Sequence, residues 1–110
     1  MATTLPITIS AEANALAEEI GMRSELDQMI EQAIEIFPNV KAIDVIRYDL
    51  VDEPGYPWIL IQIIKNGPRD PEDAWSRTRQ WHDWSWKSFP SRIYGVGSLR
   101  ILYPDVANAR

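Results

Sequence analysis

At 110 residues the chain is long enough for one hydrophobic core, and its 45% hydrophobic and 25% charged residues exclude a disordered tail and a membrane-spanning protein. The absence of cysteine and the single histidine remove disulfides, thiolate metal sites, cysteine nucleophiles and histidine-rich centres, so neither metal nor cofactor is expected. A net charge of -5 opposes binding to a phosphate backbone, and nucleic acid is not an expected partner.

The charge is uneven. Residues 1–64 hold eleven acids against three bases, whereas residues 65–110 hold eight bases against five acids. Such a dipolar chain can steer a charged partner or a second copy of itself. No basic cluster precedes an apolar stretch near Met1, and no apolar run approaches the roughly 18 residues of a membrane span, so a cytoplasmic location is expected.

In chain order, Leu5, Ile7 and Ile9 alternate with polar residues and Pro6, which predicts a short edge strand or arm. A first helix over residues 11–20 has Ser10 as its cap and Gly21 as its stop. Its apolar stripe, Ala13, Leu16, Ala17 and Ile20, is narrow, so residues 1–22 are read as a loosely attached arm of a single domain over 1–110. The second helix is expected to be capped by Ser24, with Asp27 three residues on, and to stop at Pro38. Leu26, Met29, Ile30, Ala33, Ile34, Ile36 and Phe37 form its core face.

Residues 40–51 and 58–65, rich in Ile and Val and joined by a turn-forming loop, predict a β-hairpin. Ile59, Ile61 and Ile63 share one face of a central strand. The apolar positions of the first strand switch faces between Val45 and Ile46, which predicts a bulge near residues 44–46. Asp70-Pro71-Glu72-Asp73 then opens a third helix with a carboxylate cap, proline in the first turn and early acids, and Pro90 ends it. A last strand over residues 98–103 makes the segment a strand-helix-strand crossover, expected to be right-handed with the two strands parallel. The fold class is therefore α+β: a sheet of three to four strands, a hairpin plus a strand after a helical crossover, packed with two to three helices.

Four tryptophans crowd the third helix. With Ala74 at 0° and about 100° per residue, Trp75, Thr78, Trp81, His82 and Ser85 mark the expected core face, and Trp86 lies at its edge. Trp84 falls near 280°, among Arg77, Gln80 and Lys87 on the polar side. An exposed indole beside arginine has the composition of a binding hot spot, so Trp84, Arg77, Lys87 and Gln80 are the candidate interaction residues.

Catalytic candidates are sparse. His82 and Asp83 point about 100° apart and cannot pair, and His82 with Ser85 lacks an orienting carboxylate. His82 therefore reads as a partly buried structural histidine, and no catalytic residue is assigned. Asp49, Asp52 and Glu53 at the hairpin tip lack the ligand spacing of a calcium loop. The order helix, acid-bearing strand, strand ending in lysine, helix resembles restriction-endonuclease-like nucleases, through Asp44 or Asp49, Gln62 and Lys65. Gln62 and Lys65, three apart in a strand, point to opposite faces and depart from that pattern.

Residues 1–37, strand then two helices split at Gly21, resemble ribbon-helix-helix modules of bacterial repressors and antitoxins. In that family the strand pairs across a dimer and reads DNA, whereas here Arg23 is the one base among acids. From Phe37-Pro38 onward the layout is similar to small bacterial α+β proteins. The resulting expectation is a non-enzymatic protein-binding module, antitoxin-like or accessory in a bacterial two-gene system, whose partner is another protein or itself as a homodimer. The competing expectation is a small ligand-binding protein or enzyme with a pocket between the aromatic helix and the sheet, around His82, Tyr48 and Trp58.

Overall fold

A computed structural model describes residues 5–50, 53–66, 69–90, 93 and 96–102. Among them, strand β1 (Ile7–Ile9) leads into helices α1 (Ala11–Ile20) and α2 (Arg23–Ile36). Strands β2 (Val40–Leu50) and β3 (Glu53–Lys65), helix α3 (Pro71–Ser88) and strand β4 (Gly97–Leu102) complete the order. The class is α+β, with one mixed sheet ordered β1-β2-β3-β4. β2 and β3 form the antiparallel hairpin, while β1 lies parallel to β2 and β4 parallel to β3.

Local chemistry explains most boundaries. The Ser10 hydroxyl accepts from the amide of Ala13 at 3.1 Å and starts α1. Gly21, at φ +80°, ends it by turning its amide back to the carbonyls of Ala17 and Glu18. Asp70 accepts from the amide of Asp73 at 3.1 Å and starts α3, with Pro71 in the first turn as expected. Asn39, at φ 60°, makes the left-handed turn into β2, and its carbonyl accepts from the amide of Asn66 at the open end of the hairpin.

Helix α2 departs from expectation at its start. It begins at Arg23, and Met22 holds the cap position without a side-chain hydrogen bond, so Ser24 does not cap. Met22 is fully buried, and this anchoring fixes where the chain turns into the helix. Arg23 bridges the two helices, donating to Asn14 at 2.6 Å and pairing with Asp27 at 2.7 Å. Residues 5–22 also contribute Ala13, Leu16 and Ala17 to the core.

The expected bulge near residues 44–46 is absent. Pairing of β2 with β3 is regular from Ala42 to Asp49, and the register shifts fall outside it, between Val40 and Ala42 and between Asp49 and Leu50. The alternation needs no bulge because both faces of β2 carry apolar residues: Ile43 and Val45 enter the core, while Ile46 and Tyr48 face the other way.

The core lies between the sheet and the three helices. Ile43, Val45, Ile59, Ile61, Ile63 and Leu99 meet Leu16, Leu26, Met29 and Trp81 there, in one continuous cluster. Both crossovers thus place their helices on the same face, although β1 and β2 run opposite to β3 and β4. The two crossovers are therefore of opposite hand, and one departs from the right-handed rule applied to β3-α3-β4.

Candidate functional site

Helix α3 is rotated relative to the face its sequence suggests. Its fully buried residues are Trp81 and Ser85, and Ala74, Arg77, Thr78 and Trp84 are half-buried beside them. The buried arc is turned by roughly 50° toward Trp84. Two ties to α2 hold it there. The indole of Trp81 donates to the Met29 carbonyl at 3.0 Å, and the guanidinium of Arg77 donates to the Ile36 carbonyl while gripping Asp73 at 2.9 Å. A helix wedged between a sheet and another helix buries a wider arc than a sheet-covering helix, and the extra width falls on the side of Trp84.

The expectation of an exposed Trp84 is therefore corrected. Its ring lies 6.3 Å from that of Trp81 and 5.3 Å from that of Phe89, packed against the core. Arg77 is half-buried and committed to Asp73 and Ile36, whereas Gln80 and Lys87 are exposed. The large exposed indoles of α3 are Trp75, at 64%, and Trp86, at 62%. Together with Arg79 they lie within roughly 40° on one stripe of the helix, about 16 Å from end to end. The Arg79 guanidinium sits 5.3 Å from the Trp75 ring centroid, a cation-π arrangement that stiffens the exposed arginine. Helical phase placed Trp75 inside; only the neighbouring helix reveals otherwise.

A second surface is the sheet face turned away from the helices. Among the described residues no helix packs on it. Across the sheet, Tyr48 lies opposite Trp58, Ile46 opposite Leu60, which has Ser98 on its other side, and Ile64 beside Leu102, so these rows are mainly apolar. Between them runs a polar one: Asp44 opposite Gln62, and Gln62 beside Arg100. Arg100 donates to the Gln62 side-chain carbonyl. The carboxylate of Asp44, which is half-buried, makes no hydrogen bond or ion pair within the chain among the described residues. Strand parity carries this row in the sequence, once the pairing register is known.

The catalytic candidates do not assemble. His82 is half-buried and meets Trp81 edge-on at 5.1 Å, and burial lowers its pKa from the ordinary 6.5, an effect that Asp83 partly opposes. Ser85 is fully buried and its hydroxyl has no hydrogen-bond partner, so the two do not form a donor-acceptor pair. Gln62 lies on the sheet face turned away from the helices, buried like its neighbour Leu60, while Lys65 turns inward, with its ammonium 5.9 Å from the Phe37 ring centroid. The nuclease arrangement is thus not formed.

Tyr48 and Trp58 stand on the sheet face opposite α3, so they do not enclose a pocket with His82. An open depression of about 220 Å³ lies elsewhere, lined by Ser10, Glu12, Ile46, Arg47 and Asp49. At the hairpin tip Asp49 pairs with Arg47 at 3.3 Å, and Asp52 lies outside the described residues. Among the described residues no group of three potential ligands could hold a metal, and no helix is long and apolar enough to cross a membrane. Comparison with protein-family models, with curated proteins and with solved structures finds no match to this chain.

Proposed function

We propose that the chain is a non-enzymatic protein-binding module whose partner seats on the outer stripe of α3, at Trp75, Arg79 and Trp86. The observation that carries this reading is the exposure of two indoles, 64% and 62%, on one side of one helix. Isolated exposed apolar residues are ordinary, but tryptophan is rarely left in water, and two aligned about a held arginine form the composition of a binding hot spot. The partner that fits presents apolar side chains around a carboxylate, which Arg79 receives. Gln80 and Lys87 stand farther round the helix as a polar rim. The small size, the acidity and the absence of an assembled catalytic group among the described residues support a neutralising or accessory role in a bacterial two-gene system.

Affinity capture from the source organism with the wild-type chain, Trp75→Ala/Trp86→Ala and Lys87→Ala tests the reading. Loss of one captured protein by the double variant alone, at a cost of at least about tenfold in affinity, is the expected result. Unchanged capture by the double variant contradicts it.

A further inference from the structure

We propose that the sheet face on which none of the described helices packs is a homodimer interface, where a second copy of this chain stacks about a two-fold axis parallel to the strands. The inference stands on the sheet alone and is independent of the α3 stripe. In the polar row Asp44, Gln62 and Arg100 occupy successive strands β2, β3 and β4. The charges at its two ends are opposite, and the neutral amide lies between them.

Rotation by 180° about an axis along β3, midway between two stacked faces, exchanges β2 with β4 and preserves position along the strands. Asp44 then faces Arg100 of the partner subunit, Arg100 faces Asp44 of the partner subunit, and Gln62 meets its own copy. The same operation sets Leu60 and Ile64 against their own counterparts, Ala42 against Leu102 of the partner subunit, and Ile46 against Ser98 of the partner subunit. A two-fold axis perpendicular to the strands would oppose Asp44 to Asp44 and Arg100 to Arg100. The charge pattern therefore selects one stacking geometry, the aligned packing of sheets in a sandwich.

The half-buried Asp44 supports a second copy over an unrelated partner. Among the described residues its carboxylate is without an internal counter-charge, and among them Arg100, two strands away, is held only by neutral Gln62. Each copy thus displays the charge that the other lacks, at the same position along the strands.

Light scattering after size exclusion, on wild type, Asp44→Arg, Arg100→Asp and an equimolar mixture of the two variants, tests the proposal. Wild type at twice the 12.6 kDa chain mass, each reversal at the chain mass, and the mixture again at twice that mass is the expected set. The mixture pairs a doubly positive row with a doubly negative one and restores both contacts. Wild type at the chain mass overturns the proposal. So do reversals that remain dimeric, or a mixture that stays monomeric. If either reversal fails to fold by circular dichroism, the swapped chain Asp44→Arg/Arg100→Asp replaces the mixture; it keeps the self-complementary row, so it must dimerise, and a monomer overturns the proposal.

Discussion

The indole nitrogen of Trp81 donates to the main-chain carbonyl of Met29 at 3.0 Å, with both residues fully buried. This bond satisfies the one polar atom of a large core ring and sets the rotation of α3 about its axis, which decides which tryptophans reach solvent. Trp81→Phe keeps most of the ring and orphans the Met29 carbonyl on that side; a loss of about 1–3 kcal/mol in urea unfolding is expected. Trp81→Ala adds a cavity and is expected to cost about 3–5 kcal/mol.

The three other tryptophans of α3 separate by the same measurement. Trp84→Ala removes contacts to Trp81 and Phe89 and is expected to lower stability by about 2–4 kcal/mol. Trp75→Ala and Trp86→Ala, on the exposed stripe, are expected to change it by less than about 1 kcal/mol.

Two glycines test packing against backbone geometry. A Cβ at Gly97 would come within 3.0 Å of the Met29 sulfur, so Gly97→Ala forces that flexible side chain aside, at a cost of about 1–2 kcal/mol. Gly97→Val should cost more. A Cβ at Gly21 meets nothing within 4 Å, yet its φ of +80° penalises any L side chain; Gly21→Ala is expected to cost about 1 kcal/mol. Equilibrium unfolding of the two alanine variants checks both.

His82 predicts a pH dependence. Burial lowers its folded-state pKa below the ordinary 6.5, with Asp83 opposing part of the effect. Between the two values the unfolded chain binds a proton that the folded chain resists, so this contribution is complete above about pH 6.5 and is lost as the pH falls toward the folded value. Unfolding midpoints from pH 8 to pH 5 should decline for wild type, and the decline should be shallower in His82→Asn. Equal slopes would contradict this.

Features set by local chemistry were legible in the sequence. Ser10, Gly21, Asp70 and Pro71 mark helix ends through contacts within a few residues of themselves, and the parity of Ile59, Ile61 and Ile63 marks a buried strand face. Features set by a distant neighbour were not. The bulge inferred near Val45 assumed that one face of β2 is apolar, whereas the open face is apolar too. The inferred exposure of Trp84 assumed that α3 packs on the sheet alone, whereas Arg77 and Trp81 tie it to α2 as well. The candidate stripe and the Asp44-Gln62-Arg100 row both depend on such distant pairings.

In-cell photo-crosslinking from benzoylphenylalanine placed at Trp86 reads the proposed stripe most directly, with the same probe at Tyr48 marking the sheet face. The expected result is an adduct between the position-86 probe and a different protein, and an adduct at twice the chain mass from position 48. No heterologous adduct at position 86, in cells where position 48 crosslinks, would contradict the assignment of α3 as the partner-binding surface.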